Sequence, residues 1–290
     1  MEVPVPSEFS IIHNPEEMTR FLRDLRSYAR TRHVSLDFTG VTLVTPEAIA
    51  ALAATISSSS LPDTNFRGNL PSDPAARQTL LESGFFEHVR SMVPLPSGRL
   101  GKITERKSNQ VEPATARELI SCGTSQAFGA KRQSHATRAA YSTLIELMAN
   151  THNHAAGKRA ERETWWATAY GDANRSRVCY SFLDTGIGIF RSVKVHWLRR
   201  AFRKIGVVGN PELLVQILKG QVESRTGLAY RGKGLPTVFR KSRSGDLKSL
   251  FIIANDVHAD VSNDEYSSID PPFPGTLLYW ESEEQDGDHA

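Results

Sequence analysis

Residues 178–189 read V-C-Y-S-F-L-D-T-G-I-G-I, an apolar run that passes directly into a turn with two glycines. Its apolar beginning predicts a buried strand that ends at Leu183. Asp184 then stands at the strand end, where its carboxylate can accept a hydrogen bond from an exocyclic amine such as that of adenine. Gly186 and Gly188 follow, and glycine permits positive φ and a close approach of the backbone to a ligand. The same residues would also suit a plain strand-to-helix turn with a capping Asp.

A polar pair lies upstream, in residues 146–150, which read E-L-M-A-N within a long helical pattern. Glu146 and Asn150 are four positions apart, so they project from the same helix face. A carboxylate and a carboxamide together offer the hard oxygen ligands that magnesium prefers, and the carboxylate can also take a proton from water. The alternative interpretation is two solvated polar residues on an amphipathic helix.

A third motif, R-G-K-G-L-P, spans residues 231–236 and opens another predicted helix. Backbone amides at a helix N-terminus, freed by Gly232 and Gly234, form an anion site suited to phosphates, and Lys233 adds positive charge. The spacing is not that of a P-loop, and the earlier G-x-G lacks the third glycine of a Rossmann fingerprint. A flexible basic loop is the alternative.

Taken in order, these motifs resemble the N, G1 and G2 boxes of the superfamily of gyrase, heat-shock chaperone, histidine kinase and mismatch-repair ATPases, called GHKL. Residues 273–276, F-P-G-T, resemble its last box. The resemblance covers about residues 113–282 and implies a mixed α/β sandwich, with a mixed sheet covered by helices on one face. It also implies an ATP lid at about residues 190–230.

The resemblance further implies a site for ATP and Mg²⁺. Glu146 would be the catalytic residue that orients or deprotonates the attacking water, and Asn150 would hold the metal. Asp184 would bind adenine, backed by Thr276. The nucleotide-binding residues implied are Asn150, Asp184, Gly186, Gly188, Arg231, Gly232, Lys233, Gly234, Leu235 and Thr276.

The sequence departs from the family pattern after the N box. Histidine kinases often carry Lys three residues after the motif Asn, whereas this chain has Asn153 there. His152 and His154 are two apart on a helix, so they point to different sides and do not predict a metal pair. His135 belongs to the ATPase domain's own helix, which argues against a two-component histidine kinase.

The first third of the chain resembles the STAS fold of anti-sigma-factor antagonists. Residues 34–41 predict a strand that ends in a glycine turn, and residues 45–49, T-P-E-A-I, begin a helix. The resemblance covers roughly residues 9–93. Glu47 stands where those antagonists carry a phosphoacceptor Ser, so its carboxylate could mimic phosphoserine or simply suit the helix N-terminus.

The predicted organisation is therefore a STAS-like regulatory domain at 1–98, a linker at 99–112 and a GHKL-type ATPase domain at 113–290 that ends in an acidic tail. We expect helices at residues 46–56, from 74 to about 84, and at 113–128, 134–156, 190–204, 211–218 and 235–243. Strands are expected at residues 34–38, 163–170, 176–183, 250–254 and 276–280, with the second and third joined by a hairpin turn.

Composition indicates a soluble protein of ordinary charge. The 290 residues are 39% hydrophobic and 23% charged with a net charge of +3, so bulk charge does not select nucleic acid or a membrane as partner. The two cysteines suit a reducing cytoplasm better than a disulfide or zinc scaffold. No signal-peptide core or membrane-length apolar run is present.

The basic residues of 190–204 are interleaved with aromatic ones. A solvated basic face is the default interpretation, and nucleic-acid or acidic-partner binding is the less favoured alternative. Three functions stay open at this point: an ATPase or ATP-gated switch in bacterial signalling, stress or defence; an anti-sigma-type serine kinase that acts on a partner; and a non-catalytic ATP-binding module. Family analogy suggests a protein partner or a homodimer.

Overall fold

The chain forms a mixed α/β structure with both parallel and antiparallel strands. The computed structural model describes residues 1–29, 33–59, 66–85, 101–106, 110–129, 135–154, 164–186, 188–192, 209–221 and 234–283, and the statements below concern these residues. None of the helices described is both long and apolar enough to cross a membrane.

The N-terminal module is built on a small parallel sheet. Its strands are β1 (Glu2–Pro4), β3 (Val34–Asp37) and β5 (Phe66–Gly68), in the order β1-β3-β5, and β2 (Glu8–Phe9) pairs in parallel with β4 (Leu43–Val44). Its helices are α1 (Pro15–Tyr28), α2 (Pro46–Ser59) and α3 (Pro74–Glu82). A proline stands at the first turn of α1 and α3, and Asp73 caps α3 by accepting a hydrogen bond from the Ala76 amide at 2.8 Å.

The C-terminal part is built on a five-stranded sheet in the order β6-β7-β8-β10-β9. The strands are β6 (Gly101–Arg106), β7 (Trp165–Asp172), β8 (Arg177–Asp184), β9 (Lys248–Asp260) and β10 (Glu265–Glu283). The helices are α4 (Pro113–Phe128), α5 (His135–His154), the short α6 (Ile189–Ser192), α7 (Asn210–Leu218) and α8 (Gly234–Arg243).

Local signals predicted much of this part correctly. Helix α4 has the expected bounds, and the hairpin of β7 and β8 is antiparallel as expected. Its turn is a 3-10 segment, Ala173–Arg175, in which the Asp172 side chain accepts from the Arg175 amide at 3.2 Å and Ser176 is left-handed with φ 47°. Of the helix expected at 190–204, only α6 at its start lies in the described residues.

Three expectations about the sheet are wrong. It was expected to be mixed, but each of its described strand pairs is antiparallel. The expected linker at 99–112 contains β6, which pairs with β7 along six residues. Strands β9 and β10 are far longer than expected, because they pair with each other in a long hairpin that carries several register shifts.

The sheet is also covered on both faces, not on one. Side chains alternate between faces along a strand, so Trp165 belongs to the hydrophobic core that includes residues of α4, α5 and α8, while Trp166 belongs to the core that includes residues of the N-terminal module. Helices α1 and α2 contact β10, β8 and β7 on that second face. The N-terminal module and the sheet therefore share one hydrophobic core.

Glu47 lies inside this shared core with no solvent exposure. Its Oε1 accepts from the hydroxyls of Ser10, at 3.2 Å, and Thr45. Burial raises the pKa of this carboxyl, although both hydroxyl hydrogen bonds oppose the shift. Glu47 therefore does not display a phosphoserine-like charge at the surface, and the surface-mimic interpretation is wrong for this arrangement.

Candidate functional site

Asp184 and Thr276 lie directly opposite each other at one end of the central strands β8 and β10. Thr276 is buried, whereas Asp184 is only half-buried. The Gly186 amide donates to Asp184 Oδ1 at 2.9 Å, which turns the chain as it leaves the strand. The Asp184 carboxylate at the end of β8 thus lies next to the buried Thr276 hydroxyl, although the two residues are far apart in the sequence.

Gly275 allows β10 to approach this strand end closely. Its φ is +123°, and a Cβ built there would overlap the Asp184 carbonyl oxygen and lie 3.4 Å from Thr185 Cα. A side chain would therefore force the strands apart next to Asp184. The glycine of the F-P-G-T motif is required by packing as well as by its backbone conformation.

We define the glycine loop as residues 184–186 and 188–190. Thr185 holds the start of this loop against Thr164 by hydrogen bonds. The Thr185 amide donates to the Thr164 carbonyl at 3.0 Å, and the Thr185 hydroxyl accepts from the Thr164 amide at 3.2 Å. These bonds continue the pairing of β7 and β8 by one residue beyond the strands. The loop consequently leaves the sheet at a defined point.

The E-L-M-A-N and R-G-K-G-L-P segments meet where α5 contacts the start of α8. Asn150, near the end of α5, lies against Gly234, the first residue of α8. A Cβ on Gly234 would be 2.9 Å from Asn150 Oδ1 and would overlap Nδ2. Because the first amides of a helix have no partner within it, Asn150 stands beside backbone donors suited to an anion.

Glu146 lies one turn before Asn150 on α5 and is half-buried. Lys241 of α8 stands nearby: burial lowers the pKa of its ammonium, and the carboxylates of Glu146 and Asp246 oppose that shift. Lys241 Nζ donates to Ser142 Oγ at 2.7 Å and to Thr143 Oγ1 at 3.1 Å. Lys241 therefore links α8 to the helix that carries Glu146 and Asn150.

Helix α5 connects the Asn150–Gly234 contact with the Asp184–Thr276 pair, because it contacts α8 and also the central strands β8 and β10. Leu235 follows Gly234 and packs on the core that α5 shares with the sheet. Arg231, Gly232 and Lys233 lie outside the described residues, as do the side chains of residues 152–154.

Magnesium fits these residues only if a bound phosphate supplies part of its coordination. In the part of the chain that the structure describes, no group of three or more His, Cys, Asp or Glu residues is arranged to hold a metal ion. Mg²⁺ commonly takes one or two protein oxygens and completes its octahedron with phosphate and water. A single carboxamide beside a helix N-terminus, as at Asn150 and Gly234, suits that kind of site.

Sequence reasoning missed Asn255 in β9. Its Oδ1 accepts from the Phe190 amide at 3.3 Å, and its side chain lies against Gly188. The signal was present, since Asn255 and Asp256 are polar residues that interrupt an apolar strand pattern.

No family model matches the chain, and no curated protein has a significantly similar sequence.

Proposed function

We propose that the chain binds ATP with Mg²⁺ at a GHKL-type site and works as an ATPase or ATP-gated regulatory switch, with a STAS-like N-terminal module. The observation that carries the proposal is the placement of Asp184 opposite Thr276, beside a glycine that packs on the Asp184 carbonyl. A carboxylate at a half-buried strand end is suited to accept a hydrogen bond from the adenine amine.

The contact of Asn150 with Gly234 supports the phosphate end of the same proposal. Backbone amides at the start of α8 would face phosphate oxygens, and Asn150 would hold a magnesium ion that neutralises their charge. Glu146, on the same face of α5, would orient or deprotonate the attacking water. The first proposed role is therefore binding, and hydrolysis depends on Glu146.

Titration calorimetry with ATP, with and without Mg²⁺, read beside a phosphate-release assay, tests this proposal. We expect Glu146→Ala to keep ATP affinity but reduce hydrolysis by about 10²–10⁴-fold, the usual contribution of a general base. Asn150→Ala should weaken only the Mg²⁺-dependent part of binding.

Glu118→Ala is the matched control, because Glu118 is an exposed carboxylate on the neighbouring helix α4. Absence of ATP binding by the unmodified chain would refute the proposal as a whole. Hydrolysis that is unchanged in Glu146→Ala would remove only the role of Glu146. Binding without turnover would instead indicate a non-catalytic ATP-gated module, and phosphate transfer to a partner protein would indicate a kinase.

A further inference from the structure

A bulge in β10 lies opposite two polar residues of β9, Asn255 and Asp256, the first of which contacts the glycine loop. The register between β9 and β10 shifts here: Ala254 pairs with Thr276, whereas Asn255 pairs with Phe273. Asn255 has a left-handed backbone with φ 51°. Bulges occur near functional sites, and opposite this one the Asn255 side chain faces the glycine loop.

The Asn255 carboxamide contacts the glycine loop at two points. Its Oδ1 accepts from the Phe190 amide at 3.3 Å. A Cβ on Gly188 would lie 2.6 Å from Asn255 Nδ2 and would overlap Oδ1. Gly188 is itself buried with φ +78°, so the loop packs tightly on this one side chain.

Asp256, the next residue, holds a different element. Its Oδ1 accepts from Asn210 Nδ2 at 2.5 Å, at the first residue of α7. Phe190 and Asn210 both belong to the segment that the sequence predicts to be the nucleotide lid. Two consecutive residues of one strand therefore hold the end of the glycine loop and the beginning of α7 on the same edge of the sheet.

We propose that Asn255 is a positioning residue for the nucleotide site, and that it acts by holding the glycine loop in the path that shapes the wall next to Asp184. This inference rests on the proposed function. Asn meets both local demands, because it tolerates a left-handed backbone better than most residues and supplies an acceptor for the Phe190 amide. Asp256 holds the start of α7 in the same way, through its hydrogen bond from Asn210.

The test compares Asn255→Gly with Asn255→Asp. Glycine keeps the left-handed backbone and removes the acceptor, whereas aspartate keeps both. We expect Asn255→Gly to weaken ATP binding about tenfold, the effect of losing one hydrogen bond that orders a binding loop. Asn255→Asp should restore most of the affinity. Amide hydrogen exchange at Phe190, measured without nucleotide, should be faster in Asn255→Gly and slow again in Asn255→Asp.

Asp264→Gly is the matched control, since Asp264 is also left-handed, with φ 58°, but lies in the exposed β9–β10 turn. A purely structural role for Asn255 would lower the melting temperature and leave both the affinity of the folded protein and the Phe190 exchange unchanged. That result would overturn the inference.

The outcomes separate this inference from the proposed function. If the unmodified chain binds no ATP, the proposed function fails, and Phe190 exchange still decides whether Asn255 holds the loop. If the glycine variant does not fold, exchange in the unmodified protein decides the question, because an unprotected Phe190 amide would exclude the hydrogen bond on which the inference depends.

Discussion

At the scale of single residues, Glu47 is a fully buried carboxylic acid, and burying its charged form lowers the free energy of unfolding. Its Oε1 is held by Ser10 and Thr45, but Oε2 makes no hydrogen bond to the described residues. Burial raises its pKa, and His13 opposes the shift electrostatically. Burial raises the pKa values of Cys179 and Tyr279 on the sheet, and the Glu47 charge adds to both shifts.

The sign of the pH dependence follows from this raised pKa. The folded chain holds the Glu47 proton to a higher pH than the unfolded chain does, so this residue makes stability fall as pH rises from the unfolded pKa through the folded one. We expect Glu47→Gln to raise the free energy of unfolding at pH 8 by about 1–2 kcal/mol, because no charge is then buried.

Urea unfolding at pH 4 and pH 8 would measure this effect, and the gain should shrink toward pH 4, where the unmodified side chain is already protonated when folded. Glu2→Gln, at an exposed position, controls for the loss of one negative charge. A gain that is equal at both pH values would contradict the assignment to Glu47 ionisation.

At the scale of elements, the packing of α8 on α5 holds the Asn150–Gly234 contact together. Lys241 provides the polar part of that packing, through Ser142, Thr143 and the Ala139 carbonyl, which accepts at 3.3 Å. The two hydroxyls also donate to carbonyls of their own helix. They therefore keep partners if the ammonium is removed.

Lys241→Met should accordingly cost only about 1 kcal/mol of stability, because the side-chain volume remains and no buried hydroxyl is orphaned. Thermal unfolding followed by circular dichroism measures this. Lys219→Met, at the exposed C-cap of α7, is the control for the loss of charge. A loss of several kcal/mol would mean that Lys241 carries more of the contact between these helices than its hydrogen bonds account for.

At the scale of the whole molecule, the N-terminal module and the sheet share a core. Cys179, Leu183 and Tyr279 of the sheet are buried in one cluster with residues of α1 and α2. His258 of β9 adds a polar contact, with Nε2 3.0 Å from the Ile12 carbonyl, and burial lowers the pKa of this imidazole. We therefore expect the two parts to unfold together.

Tryptophan fluorescence gives a direct test, since residues 1–100 contain no Trp and Trp165, Trp166 and Trp280 lie in the sheet. Met18→Ala, at a fully buried position of α1, should lower the free energy of unfolding reported by the sheet by about 2–5 kcal/mol. Arg20→Ala, exposed on the same helix, should change little. An unshifted fluorescence transition in Met18→Ala would show that the module unfolds independently.

Elements that carry their own local signals can be predicted from the sequence alone. Helix α4 begins at Pro113 and has the predicted bounds, and the β7–β8 hairpin follows from turn residues between two apolar runs. The i, i+4 spacing of Glu146 and Asn150 by itself puts both on one helix face. The roles assigned to them stay predictions, because chemistry at a site depends on the ligand it binds.

What packs against these elements is set by contacts between distant segments of the chain. Nothing local in residues 99–112 indicates β6, because a strand on the edge of a sheet is defined by its partner. Nor does any pattern in α2 indicate that Glu47 is buried. The contacts of Asn255 with Gly188 and of Asn150 with Gly234 join distant segments. Sequence periodicity reports which face of an element is apolar, but not which distant residue lies opposite it.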